Sequence, residues 1–187
     1  MVMDRTKKNI IELTHCTSEE YHALRKLPLI LVADNVRSAQ NVGSMLRTAD
    51  AFLLRGMVMT GITATPPSAE ISKTALGAEH SVEWSYVADA VEAVAELRRQ
   101  GMLIYVLEQT HGSVPLQELR LPEPAEAPAG MVLVVGNEVS GVDQRIVDMA
   151  HAAVEIPMHG TKHSLNVSVS AGIALWEFYR QLHKYIL

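Results

Sequence analysis

Three stretches of the chain place residues capable of group-transfer chemistry directly after apolar runs. LPLILVAD is followed by Asn35, Val36 and Arg37, then by Asn41, Gly43 and Arg47. A helix beginning near Asn41 would offer free backbone N–H groups to an anion. Arg47, six residues on, could extend its long side chain toward the same end. On spacing alone, Asn41 serves equally well as an N-cap and Arg47 as a solvated surface arginine. MVLVV is followed by Gly136, Asn137 and Glu138, with Gly141 five residues after the first glycine. Such glycines let the backbone turn tightly and approach a ligand. Glu138 is then either a functional carboxylate or one placed to suit a helix start. AAVEIPM is followed by His159, Lys162, His163, Ser164 and Asn166. Two histidines four apart invite a zinc reading, but the segment is loop-like and offers no cysteine and no evident third ligand, so no metal is expected.

The elements that must position these groups follow from hydrophobic pattern. LPLILVAD, LRGMVMTG, VEWSYV, MLIYVLEQ, MVLVVGNE and AAVEIPM read as strands, the fifth apolar enough to be covered on both faces. Thr17 with Glu20 is a capping-box pattern opening a helix over TSEEYHALRK, within a helical lead-in over 3–26. NVGSMLRTADAF puts Val42, Met45, Leu46 and Ala49 on one helical face. Asp89 with Glu92 opens a further helix ended by Gly101, and SLNVSVSAGIALWEFYRQLHK is a long closing helix, capped by Ser164 or Asn166. Residues 110–130 hold Pro115, Pro122, Pro124 and Pro128, and LPEPAEAPAG reads as a surface loop. Strands alternating with helices predict one α/β domain with a mostly parallel sheet flanked by helices on both faces. Such sheets bind ligands beyond the carboxyl ends of their strands, so the three loops converge on a composite pocket. Neither G-x-G-x-x-G nor G-x-x-x-x-G-K-[ST] occurs, which disfavours a conventional dinucleotide or nucleoside triphosphate site.

Composition narrows the classes further. The 187 residues are 48% hydrophobic and 20% charged, which suits a folded domain and excludes wholesale disorder. A net charge of −5 argues against coating nucleic acid through a global positive field, though not against a local basic rim. The single Cys16 excludes a disulfide framework and suits a reducing cytoplasm. No apolar stretch reaches membrane-span length, and MVMDRTKKNIIELTH lacks a signal-peptide core.

In order and spacing, NVRSAQNVGSMLRTADAF, LVVGNEVSGVDQRIVDMA with AAVEIPM, and GTKHSLNVSVSAGIALWEFYRQ resemble the three motifs of the SpoU (TrmH-type) branch of the SPOUT RNA methyltransferases, and ISKTALGAEHSV resembles a segment between the first two. The likeness runs from Pro28 to about His183. It implies a lead-in over 1–27, a methyltransferase domain over 28–187, and a deep C-terminal trefoil knot, a rare topology that composition would never suggest. It also implies a homodimer, S-adenosylmethionine (AdoMet) as cofactor and a ribose 2′-hydroxyl of RNA as acceptor, a catalytically inactive RNA-binding relative being the alternative. The compact size favours tRNA over rRNA as the substrate. Carried across by motif, Asn41, Arg47, Glu138, Ser164 and Asn166 are the expected catalytic residues. Leu107, Glu108, Gln109, Thr110, Gly136, Asn137, Glu138, Ile156, Met158, Ser164, Leu165 and Asn166 are the expected cofactor contacts. Arg37, Arg47, Lys73 and Lys162 are expected to face RNA. The resemblance gives Arg47 the removal of the hydroxyl proton. An arginine with pKa above ~12 is a poor base, so the alternative role is to bind phosphate and stabilise the developing alkoxide.

Overall fold

The structure, a computed structural model, describes residues 6–9, 16–123 and 125–186. Much of the expected lead-in over 3–26 lies outside these residues. Within them, α1 (Ser18–Ala23) carries the capping box, Thr17 and Glu20 bonding reciprocally. The chain continues through β1 (Leu27–Asp34), α2 (Ala39–Ala51), β2 (Leu54–Thr60), α3 (Ala69–Ala75), α4 (Ala78–Ser81), β3 (Trp84–Val87) and α5 (Ala90–Arg99). It then forms β4 (Leu103–Leu107), β5 (Val114–Pro115), β6 (Met131–Val135), α6 (Gln144–Met149), β7 (Ala152–Glu155) and α7 (Val167–Leu182).

The seven strands lie in the order β3-β2-β1-β6-β4-β7-β5, and every ladder between them is parallel. Alternation along each strand divides the core in two. Leu29, Leu31, Ala33, Met57, Met59, Leu133 and Val135 face α2, α3 and α7, where Val42, Met45, Leu46, Ala49, Ile71, Leu175 and Phe178 meet them. Val32, Val58, Val132, Val134, Ile104 and Val106 face α5 and α6, against Ala90, Ala93, Val94 and Ile146. All five residues of β6 are buried, as its unbroken apolar run predicts.

Two departures from the sequence reading bear on the site. The N-cap of α2 is Ser38, whose hydroxyl accepts the Asn41 N–H, so Asn41 lies inside the first turn with its side chain released from capping. Gly43, the glycine of the first motif, makes room for α3 instead of a ligand: a methyl there would overlap the Thr74 hydroxyl and the Ile71 carbonyl. The proline-rich stretch also contains more structure than a loop. Val114 and Pro115 extend the sheet beside Val154 and Glu155, and Leu116, Leu119 and Ala127 are buried. Pro115 is tolerated because β5 is an edge strand, where a missing N–H breaks no ladder.

Candidate active site at the carboxyl edge of the sheet

Because β1, β6, β4 and β7 are neighbours, their carboxyl ends deliver four loops to one edge of the molecule. Glu138, on the loop after β6, accepts three hydrogen bonds from the start of α2. The N–H of Arg37 donates to Oε2 over 2.9 Å, and the N–H of Ser38 and Nδ2 of Asn41 donate to Oε1 over 3.2 and 3.0 Å. Burial alone would push this carboxyl up. The N–H groups of Arg37, Glu138 itself and Ser38, with the Asn41 amide, together hold it below the ordinary glutamate range. The helix N-terminus expected to receive an external anion is therefore occupied by the chain's own carboxylate.

Asn41 links this loop to the third. Its Oδ1 accepts Nδ2 of Asn166 over 3.1 Å and the Ser168 hydroxyl over 3.4 Å. Asn166 is the N-cap of α7, its Oδ1 accepting the Ser168 N–H over 2.9 Å and the Ser168 hydroxyl over 2.7 Å. Glu138, Asn41 and Asn166 thus form one hydrogen-bonded line drawn from three loops. Ser168 was not singled out in the sequence, although a Ser two residues after an N-cap Asn is a local signal that marks it. Ser164 is exposed and makes no hydrogen bond to the described residues. Arg47 lies on the solvent side of α2, about 9 Å along the axis from Asn41, its guanidinium making no hydrogen bond or ion pair to the described residues. The structure therefore joins Asn41, Glu138 and Asn166 directly and leaves the Arg47 guanidinium free. Arg37, Lys73 and Lys162 have exposed side chains.

A cavity of about 470 Å³ is lined by Gln109 of the β4 loop and by residues 155–163, including Ile156, Met158, Lys162 and His163. Its size lies within the range of small-molecule sites. Gln109 Nε2 donates to the His163 carbonyl over 2.8 Å and closes one wall. Among the described residues no backbone–backbone hydrogen bond involves 157–165, so apart from the His163 carbonyl the backbone polar groups of this loop have no partner among those residues. Leu165 follows the cavity wall and is 42% exposed.

Several expected cofactor contacts have other work in the structure. Glu108 accepts the N–H of Gln109 over 2.9 Å and that of Val142 over 3.0 Å, and so braces the Glu138 loop. Thr110 closes a turn with Ser113, and Leu107 ends β4 half-buried. Gly136 opens the Glu138 loop, and Asn137 pairs with Gly141 through both backbone groups. Among the described residues no cluster of His, Cys, Asp and Glu is placed to hold a metal, and no helix is long and apolar enough to cross a membrane.

Residues 28–176 match the SpoU rRNA Methylase family. The 23S rRNA (guanosine-2'-O-)-methyltransferase RlmB of Neisseria meningitidis serogroup B is 34% identical over 158 residues, covering 84% of this chain and 60% of that protein. This chain thus spans about 60% of the length of such curated relatives. The crystal structure of the A. aeolicus TrmH/SpoU tRNA modifying enzyme superposes with a TM-score of 0.75 at 31% identity, covering 90% of this chain and 83% of that one. The AdoMet-bound rRNA methyltransferase of Sinorhizobium meliloti superposes with a TM-score of 0.75 at 26% identity, covering 85% of this chain and 61% of that one.

Proposed function

Because this chain belongs to the SpoU rRNA methylase family, we propose that it transfers a methyl group from AdoMet to a ribose 2′-hydroxyl of RNA. The observation that carries the reading is the Glu138–Asn41–Asn166 line, whose Asn166 stands three residues after the last residue lining the cavity beyond β7. The cavity residues fit the cofactor. Ile156, Pro157 and Met158 offer apolar surface to an adenine face, and the backbone groups of 157–165 other than the His163 carbonyl offer donors and acceptors to a nucleoside.

AdoMet, when bound, supplies a methyl group made electrophilic by its sulfonium. The chain's part is to align the attacking hydroxyl and to manage its proton. Positioning two bound reactants is worth up to about 7–11 kcal/mol. Glu138 fixes the Asn41 amide, Asn41 fixes Asn166, and the line holds the starts of α2 and α7 together. Arg47 binds the phosphate of the target nucleotide and stabilises the developing alkoxide, the proton passing to a phosphate oxygen or water. Its guanidinium is exposed and uncommitted, as that role needs. Arg37, Lys73 and Lys162 extend the positive rim, with Ser164 and Leu165 at the border between cofactor and RNA.

A tRNA substrate draws support from the likeness to the A. aeolicus tRNA modifying enzyme, at a TM-score of 0.75 and 31% identity. The active form in this reading is a cytoplasmic homodimer. Val169, Ile173 and Trp176 support it, lying at helical spacing along one side of α7 and 51%, 40% and 53% exposed. A C-terminal knot is supported by the path after β7, which must cross the ends of β4 and β6 to bring Asn166 back to Asn41 beside β1. The deciding experiment incubates the protein with labelled AdoMet and total RNA, then maps ribose-methylated positions. Label confined to 2′-oxygens in tRNA is expected. Cofactor binding without ribose methylation would select the inactive RNA-binding relative instead.

A further inference from the structure

Asn35, between the end of β1 and the first-motif loop, uses both ends of its side-chain amide and its backbone carbonyl. Its Nδ2 donates to Asp34 Oδ1 over 2.8 Å, its Oδ1 accepts the Ile62 N–H over 3.1 Å, and its carbonyl accepts Nδ2 of Asn137 over 2.7 Å. It adopts a φ of 54°, in the left-handed region that Asn tolerates better than most residues. Asp34 is only 2% exposed, and its second oxygen accepts the N–H of Asp143, the N-cap of α6, over 2.9 Å. The loop after β2 is shaped around the Asn35 side chain: a methyl on Gly61 would overlap Oδ1 of Asn35.

These bonds converge on Glu138. The oxygen of Asn137 holds the N–H groups of Val139 over 2.8 Å and Ser140 over 3.2 Å, so the Asn137 side chain grips the backbone on the far side of Glu138 while its amide reaches Asn35. Glu138 sits on a turn without helix or strand, and its own side chain is exposed. Where its carboxylate meets α2 is therefore set by the anchors of that turn. Glu108 and Asp34 anchor its trailing end, at Val142 and Asp143. The Asn137–Asn35 bond anchors its leading end.

We infer that Asn35 is a positioning residue for methyl transfer. Clamped between Asp34 and Ile62, it aims its carbonyl at Asn137 and so sets where Glu138 engages Asn41 and the N–H groups of Arg37 and Ser38. The inference rests on the methyltransferase reading above. None of the residues lining the cavity bonds to Asn35, so cofactor affinity and turnover should separate.

The test is Asn35→Gly, which keeps the left-handed conformation accessible and removes the clamp. Displacement of a reacting group by an ångström costs up to about 100-fold, so kcat should fall about 10- to 100-fold while the AdoMet Kd, read by calorimetry, stays within about threefold of wild type. Residues acting as one unit are non-additive, so Asn35→Gly in an Asn137→Ala background should cost at most about threefold beyond the slower single variant. Should Asn35→Gly melt below the assay temperature, Asn35→Asp replaces it, keeping Oδ1 and the backbone carbonyl while turning the donation to Asp34 into a contact between two acceptors. Unchanged kcat in the folded variant, parallel loss of cofactor binding, or multiplying effects in the double variant would each overturn the inference. Wild type inactive on every ribose would instead retire the methyltransferase reading itself.

Discussion

The side-chain amide of Asn166 donates to the side-chain oxygen of Asn41 over 3.1 Å, joining residues 125 positions apart. One of these asparagines caps α7 and the other lies in the first turn of α2, so the bond ties two helix starts together across the carboxyl edge of the sheet. Removing either partner should have separable consequences for folding and for chemistry.

Asn166→Asp keeps an oxygen to cap α7 but sets an acceptor against Asn41 Oδ1. Its melting temperature should stay close to wild type while methylation of RNA falls at least about tenfold, the scale of a misplaced reacting group. Asn166→Ala loses the cap as well and should cost about 1 kcal/mol of stability by denaturant titration. Equal activity in wild type and Asn166→Asp would remove this bond from the mechanism.

The depressed pKa of Glu138 fixes the sign of a pH effect. A carboxyl whose folded pKa lies below its unfolded value of 4.5 stabilises the fold at pH above 4.5, and loses that contribution as pH falls through the depressed value. The difference in melting temperature between wild type and Glu138→Gln should therefore be flat from about pH 8 to 5 and narrow below that. A difference that grows on acidification would contradict the three donors assigned to this carboxylate.

Arg47→Lys separates charge from geometry. A lysine keeps the cation but not the planar fork. If the guanidinium binds phosphate and the alkoxide together, Arg47→Lys should lose about 10²-fold or more in kcat, the scale of a lost transition-state donor, with an unshifted pH profile. Near-normal turnover with a profile moved toward an amine pKa would favour proton abstraction by this residue.

The exposed stripe on α7 gives an assembly prediction. Ile173→Lys places a charge in the middle of the proposed subunit contact. Sedimentation should change from dimer to monomer with unaltered far-UV circular dichroism, because Ile173 is 40% exposed within one chain. A wild-type chain that sediments as a monomer would remove the dimer from the reading.

Hydrophobic period alone determined the larger elements. β6 is buried end to end because MVLVV has no polar residue to turn outward, and α2 buries Val42, Met45, Leu46 and Ala49 because their spacing follows one helical face. Capping chemistry was equally local, as Thr17 with Glu20 and Asp89 with Glu92 demonstrate. Which polar atoms meet was a different matter. Asn41 looks like an N-cap until Ser38 takes that place, nothing in the sequence pairs Glu108 with the Val142 N–H, and Asn35 and Ser168 gave no sign of their partners. Hydrogen bonds between side chains of distant loops leave no periodic trace in a sequence, because they depend on strand order. Only the placing of β6 between β1 and β4 could bring Glu138 to the start of α2.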